Sequence, residues 1–441
     1  MEIGLPEKVS SILNTLLSAG FEAYAVGGCI RDSLLGKEPK DWDITTSAKP
    51  DEVKSLFQKT IDTGIEHGTV TVVIGREGFE VTTYRIDGKY EDSRHPKEVT
   101  FTPNLLEDLK RRDFTINAMA YNHIDGLVDA FDGIGDLKRR IIRCVGEARQ
   151  RFKEDALRMM RAVRFAAQLG FSIEEDTYAA ICEMSPDLKR ISAERICTEL
   201  VSLLVSGHPE EMRTLYQTGI TNVILPEFNA MMLTEQNNPH HIYSVGEHTL
   251  NALCYVESDK VLRLSVLLHD IAKPVCQTTD DDGVHHFHGH PGYGSKMAKK
   301  ILRRLKFDND TIEKVCRLIA GHDDNPPLTH QGVRRAVVRI GIDAYPAIFA
   351  LKRADILAQS EYGRLQKLEY LKQYEAYYHE IVEAGQCLTL KQLAVNGGDL
   401  IAVGIQPGPK LGQMLKELLE IVLEDPSRNT KEYLLAQINR A

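Results

Sequence analysis

Apolar residues at Val9, Ile12, Leu13, Leu16 and Leu17 recur with i, i+3, i+4 spacing and predict an amphipathic helix over residues 6–19. A short apolar strand follows at Ala23–Val26, then a Gly27-Gly28 turn, a short helix carrying Arg31 and Asp32, a polar loop, and a second strand carrying Asp41 and Asp43. A helix over 50–58 leads to two strands, Thr69–Ile74 and residues 79–85, joined at a Gly-Arg-Glu-Gly turn. Residues 87–102 are polar, broken by Pro96 and without an amphipathic period, which predicts a mobile loop. The stretch LVDAFDGIGDLKRRIIRCVG reads as a strand, a turn and a last strand ending near Gly146. From Glu147 onward the pattern is helical almost throughout, so an α+β head with a small mixed sheet gives way to an all-helical remainder. Pro226, Pro239 and the polar LTEQNNPHH run mark a further boundary near residue 235, and amphipathic helices close the chain.

At 441 residues the chain is long enough for roughly three domains of ~150 residues. No apolar run approaches the ~20 residues that span a bilayer, and MEIGLPEKVS lacks the basic start and apolar core of a signal peptide. The expected compartment is the cytoplasm, with no membrane partner. Eight cysteines without a C-x-x-C pair fit reduced structural thiols. A formal charge of −9 argues against indiscriminate affinity for polyanions, so a nucleic-acid partner has to be met by local basic faces.

Side chains two apart on a strand share a face about 7 Å apart. Asp41 and Asp43 are therefore spaced to share hard divalent cations of the kind that clamp the attacking and leaving oxygens of a phosphoryl displacement. Gly27 and Gly28 open onto a helix start, where backbone N–H groups give close access to a polyphosphate. Either feature alone is usually a solvated strand end or a tight turn; the two in this order are complementary. Further on, KEDALRMMRAVRFAAQLGF places Asp155 and Arg158 at i, i+3, with Arg161 and Arg164 on much the same face. Local ion pairs would explain this, but base chemistry offers a sharper reading. Cytosine and adenine both present an amino donor beside a ring-nitrogen acceptor, so one carboxylate and one guanidinium match both. Uracil and guanine present the opposite order and leave buried polar groups unpaired at ~1–3 kcal/mol each. Arg161 and Arg164 are placed to neutralise a triphosphate.

G-G-x-x-R-D followed within ten residues by D-W-D resembles the nucleotidyltransferase superfamily of tRNA CCA-adding enzymes and bacterial poly(A) polymerases. That resemblance implies a nucleotidyltransferase head over residues 1–146, and a third acid beside the paired aspartates, for which Glu80 on a neighbouring strand is best placed. G-I-x-H-G-T-V looks more like the CCA-adding branch, and the loop with Tyr90, Asp92, Arg94 and Pro96 matches one that helps those enzymes switch from adding C to adding A. The string DLKRRDFTINAMA matches the family motif that contacts ribose and triphosphate, implying nucleotide contacts for Arg112, Asp113 and Asn117 beside Gly27, Gly28 and Arg31. In the E-D-x-x-R motif the resemblance makes Asp155 and Arg158 the base-reading template, with Glu154 orienting the arginine. A helical neck and body is expected over 147–234, its part after about residue 172 supplying core and no visible chemistry.

Ten of the fifteen histidines fall between His240 and His330. His248, His269, Asp270, His290, His322 and Asp355 form a ligand mix that suits a mono- or binuclear transition-metal centre inside a helical bundle. Their order resembles the HD phosphohydrolase domain, expected over 235–360 before a helical tail at 361–441. If active, such a domain would hydrolyse a 2′,3′-cyclic phosphate or a 3′-phosphate on RNA. The basic face of SKMAKKILRRLKF reads as solvated, with tRNA phosphate contact as the lesser reading.

The reading is therefore a tRNA nucleotidyltransferase adding C, C and A from CTP and ATP with Mg²⁺, carrying an HD domain. A poly(A) polymerase or A-adding enzyme on the same head is the first alternative, and a metal phosphohydrolase with an RNA-binding head is the second. Oligomeric state is not legible in the sequence.

Overall fold

The computed structural model describes residues 2–88 and 99–438. Tyr90, Asp92, Arg94 and Pro96, expected on the loop, lie outside the described residues. The chain forms two compact units, Met1–Pro226 and Glu227–Ala441, the first α+β and the second helical.

The first unit is built on a seven-stranded mixed sheet. Its strands in chain order are β1 (Ala23–Val26), β2 (Ile44–Thr46), β3 (Thr60–Gly64), β4 (Thr69–Ile74), β5 (Glu77–Thr83), β6 (Met119–Asn122) and β7 (Gly126–Asp129). Their spatial order is β3-β4-β5-β2-β1-β6-β7. Only β2 and β5 run parallel, with Ile44 opposite Val81 and Thr46 opposite Thr83. The helix Glu7–Ser18 buries Val9, Ile12, Leu13 and Leu16 completely, as the i, i+3, i+4 spacing predicts. Tyr24, Val26, Tyr84, Leu105, Leu109 and Ala120 form a core cluster beside it in the head. The outer strand β3 is mostly exposed, and its register with β4 is broken between Ile61 and Gly64.

Several expectations need correction. Asp41 and Asp43 are not in strand β2 but immediately before it. The ladder still reaches Asp43, whose carbonyl accepts from Val26 N–H at 2.9 Å, but it stops there. The stretch read as a turn after β7 contains the helix Gly133–Arg139, whose first N–H groups, those of Gly133 and Ile134, donate to the Asp129 carboxylate at 2.7 and 2.8 Å. Asn117 stands on a single 3₁₀ turn, Thr115–Asn117. The presumed loop at 87–102 begins and ends in an antiparallel ribbon, Arg85–Asp87 against Val99–Phe101. A short β-branched and aromatic segment such as V-T-F needs only a partner strand to pair, which an amphipathic-period test does not see.

In the second unit, helix starts are fixed by side-chain caps. Ser244 accepts from Glu247 N–H, Asp259 from Leu262 N–H and Asp308 from Thr311 N–H, each worth about 1 kcal/mol. They set the frames of helices Val245–Leu253, Lys260–Leu268 and Asn309–Gly321. Lys260–Leu268 packs on Asn309–Gly321, which packs on His290–Arg304, while Val245–Leu253 packs on Tyr345–Ala358.

Gly133 is tightly enclosed: a Cβ there would lie 2.5 Å from the Thr115 carbonyl oxygen and 2.9 Å from Met119 Cγ. Gly133→Ala is expected to cost about 1–3 kcal/mol in denaturant unfolding, because the turn bearing Asn117 must shift.

Candidate active site and a buried histidine cluster

The parallel register that sets Ile44 beside Val81 also sets the preceding residues, Asp43 and Glu80, side by side. Asp41, Asp43 and Glu80 line one open cavity of about 620 Å³, together with Lys40, Trp42 and Lys8. Burial raises the Asp43 carboxyl above the usual range, against the attraction of Arg112 and with the repulsion of Asp41. Glu80 is raised by burial and by Asp43 and Asp41. Three carboxylates gathered on one cavity have the donor chemistry of a divalent-cation site.

Gly27 sits at φ 84°, which glycine adopts without strain, and a Cβ on it would come within 3.0 Å of Arg112 Nη1. The missing side chain thus lets Arg112 lie against the turn, close enough to act on Asp43. Gly27 N–H is committed to the Met119 carbonyl at 3.1 Å, so the turn's open amides begin at Gly28. Cys29 is no nucleophile: burial and Asp43 push its thiol up to about 11.

Behind the turn runs a chain of hydrogen bonds. Arg31 Nη1 donates to Asn117 Oδ1 at 2.7 Å, Asn117 Nδ2 donates to Asp113 Oδ1 at 3.1 Å, and Arg161 donates twice to Asp113 Oδ2 at 2.8 and 2.6 Å. Burial opposes the Asp113 charge, but Arg161 outweighs it and holds the carboxyl well below its usual range. Arg31, Arg161 and Arg164 surround the Phe165 ring, with guanidinium carbons 5.0, 5.3 and 4.1 Å from its centroid. Gly27, Gly28, Arg31, Arg112, Asp113, Asn117, Arg161 and Arg164 therefore form one connected polar body, in which Asp113 acts by holding Arg161 and Asn117.

Asp155 and Arg158 do not share a continuous helix face. The helix Ala148–Glu154 ends at Asp155, whose φ of −144° and ψ of 104° are extended, and Leu157–Leu169 starts afresh. Asp155 accepts from Arg195 at 3.2 and 2.6 Å and from Leu157 N–H at 3.0 Å. Arg158 donates to Glu154 at 2.7 Å, to the Arg151 carbonyl at 3.1 Å and to the Arg111 carbonyl at 2.9 Å. Each member of the pair is thus held by its own partners. Sequence reasoning passed over two residues here as core: Arg195, which holds Asp155, and Glu199, whose Oε2 lies 2.6 Å from Arg164 Nε. The signal was a pair of opposite charges at i, i+4 inside the apolar stripe of ERICTEL.

In the second unit the six expected ligands converge. His248, His269 and Asp270 present atoms within 4.8 Å of one another, as do Asp270, His290 and His322. Asp355 Oδ1 lies 2.8 Å from His248 Nε2 and 3.8 Å from His269 Nε2. The Nδ1 atoms of His269, His290 and His322 lie 2.7, 2.8 and 2.7 Å from the carbonyls of Val266, Phe287 and Ile319, which turns each Nε2 inward. His269 Nε2 and the Asp270 oxygens are buried; His269 Nε2 lies 3.2 Å and the Lys273 ammonium 2.8 Å from Asp270 Oδ2, and His290 Nε2 lies 3.3 Å from Asp270 Oδ1. They face a common centre, and this donor set could hold a divalent metal ion. Burial lowers His322 to about 3, leaving the neutral form that ligates.

The chain resembles known proteins over nearly its whole length. Residues 23–143 match the poly A polymerase head domain model, 170–232 the probable RNA and SrmB-binding site of polymerase A, and 287–438 the putative tRNA nucleotidyltransferase domain 2. The CCA-adding enzyme of Lactobacillus delbrueckii subsp. bulgaricus is 39% identical over 95% of this chain and 94% of its own. The chain belongs to the CCA-adding enzymes. That of Levilactobacillus brevis is 38% identical over 98% of this chain and 97% of its own. The crystal structure of the Bacillus stearothermophilus CCA-adding enzyme in complex with CTP matches with a TM-score of 0.73 at 29% identity, covering 98% and 97% of the two chains. No helix among the described residues is long and apolar enough to cross a membrane.

Two opposite pH effects follow for this CCA-adding enzyme. The raised Asp43 carboxyl binds its proton more tightly when folded, so its contribution to stability is present below about pH 4 and lost as pH rises through the raised value. Asp43→Asn should therefore melt higher than the parent at neutral pH without divalent cations, the gap closing in acid. Asp113 has the reverse sign: its contribution is present above about pH 4 and lost below it. Asp113→Asn should cost roughly 3 kcal/mol at neutral pH and flatten the acid limb of the stability curve.

Proposed function

We propose that this chain adds C, C and A to the 3′ end of tRNA, taking CTP and ATP as substrates, in the cytoplasm. The observation that carries this is the convergence of Asp41, Asp43 and Glu80 on one cavity beside the Gly27–Arg112 turn. Asp41 and Asp43, with Glu80 as third acid, would hold Mg²⁺, and the bound ion would supply charge neutralisation of the triphosphate and lower the pKa of the attacking hydroxyl. The tRNA 3′-oxygen forms a bond to the α-phosphorus, the bond to the bridging oxygen breaks, and pyrophosphate leaves. Gly28, Arg31 and Arg112 face the triphosphate, supported by Asp113 and Asn117, while Arg161 and Arg164 extend the positive wall.

Asp155 and Arg158 read the base. Arg195 fixes the carboxylate and Glu154 the guanidinium, so the pair offers an acceptor beside a donor, which suits C and A and leaves U and G mismatched by ~1–3 kcal/mol per unpaired group. The head spans 1–146, the neck and body 147–234, an HD domain 235–360 and the tail 361–441.

The histidine cluster supports a second activity, hydrolysis of a 2′,3′-cyclic phosphate or 3′-phosphate at an RNA end. Water adds to phosphorus, the bond to one ribose oxygen breaks, and that oxygen takes the proton. Divalent transition metal held by His248, His269, Asp270, His290, His322 and Asp355 would supply the Lewis acidity. Such a step would clear a blocked end for the head.

With tRNA lacking its end, the protein is expected to add C, C and A and stop; long ATP-only tails would instead mark a poly(A) polymerase. The Asp41→Ala, Asp43→Ala variant should lose at least 10³-fold in nucleotide addition. Asp155→Ala or Arg158→Ala should raise UTP incorporation relative to CTP by about 10-fold or more, measured on single nucleotides.

A further inference from the structure

Beside the histidine cluster lies a cavity of about 350 Å³ lined by His322, Asp355, Lys352, Gln359, Lys367 and Tyr370, among others. Lys352 is only 6% exposed, on the helix Tyr345–Ala358 one turn before Asp355. Its ammonium donates to the Asn325 amide oxygen at 3.0 Å. Lys367, on the helix Arg364–Glu383, donates to the Gln359 amide oxygen. Neither ammonium has a carboxylate within 4.0 Å among the described residues. Burial lowers both from the usual lysine value. The carboxylates of Asp323 and Asp355 attract both lysines, and Asp324 attracts Lys352, but none is in ion-pair contact with either, so each ammonium keeps donors that a bound anion can take. The neighbouring cavity of about 530 Å³ also reaches Asp270, His322, Asp355 and Lys367, so the two form one trough across the cluster.

We propose that Lys352 and Lys367 form an anion subsite that receives a second phosphate of the phosphohydrolase substrate, apart from the scissile one. The substrate class is then a nucleotide phosphorylated on both sides of its ribose, as at the 3′-phosphorylated end of an RNA chain, where the 5′-phosphate belongs to the chain. A nucleoside 2′,3′-cyclic phosphate with a free 5′-hydroxyl lacks the second anion. The proposal rests on the phosphohydrolase reading of the cluster, and two measurements separate their failures.

The first is binding by calorimetry to full-length protein dialysed against Mn²⁺, in an Asp41→Ala, Asp43→Ala background that weakens nucleotide capture by the head. Adenosine 3′,5′-bisphosphate should bind at least 10-fold tighter than adenosine 3′-monophosphate, and Lys352→Met, Lys367→Met should erase the difference. The Arg counterparts at both positions should keep it. Equal affinities, or a preference untouched by the Met substitutions at unchanged melting temperature and bound-metal content, would overturn the subsite. The second is hydrolysis: the 5′-phosphorylated adenosine 2′,3′-cyclic phosphate should show a KM at least 10-fold below that of its 5′-hydroxyl analogue, with kcat within about threefold. A protein that binds no Mn²⁺ and hydrolyses neither ester, yet keeps the lysine-dependent binding, would sink the phosphohydrolase reading and leave the anion subsite standing.

Discussion

The head depends on one register: the parallel pairing of β2 with β5 that sets Ile44 opposite Val81. Side chains alternate along a strand, so a slip of one residue would turn Glu80 into the core and bring Phe79 to the carboxylates. The pairing holds because Val81 and Ile44 are each 1% exposed and have nowhere else to go. Burial of neighbouring apolar residues thus fixes where mutually repelling acids must sit. Burial, with that repulsion added to it, raises the proton affinities of Asp43 and Glu80, and a cation would relieve both.

Around this core, charge is organised by pairing. Arg161 is occupied by Asp113 and Arg164 by Glu199, so the arginine wall behind the turn is tied to rigid elements and does not drift into the cavity. Phe165 lets three guanidinium groups share one ring face-on, which lowers the cost of crowding them. Asp155 and Arg158 follow the same logic, the first held by Arg195 and the second by Glu154.

Much of this was legible in the sequence. The Gly27-Gly28 turn, the carboxylates of one cavity and the histidines of one buried cluster are brought together by the fold as their residue types and order suggested. What stayed hidden depended on tertiary partners. Arg195 reads as one more charge on an amphipathic helix until Asp155 is found against it, 40 residues away. Continuous helical periodicity over 150–169 concealed the break at Asp155, because a single extended residue leaves the apolar count almost unchanged. The helix Gly133–Arg139 was masked by two glycines and two aspartates, residues that favour turns. Lys352 looked like an ordinary helix lysine, and only its burial separates it from the solvated majority.

Strand β3 carries a consequence outside catalysis. A sheet that ends in an exposed strand offers unpaired N–H and C=O groups to any other extended chain, a route to aggregation. Here the outermost strand is short, irregular between Ile61 and Gly64, and bears Asp62 ion-paired to Lys54 at 2.9 Å. A bulged, charged margin makes a poor template for intermolecular strand addition, and so protects a sheet whose central strands β1, β2 and β6 are wholly buried.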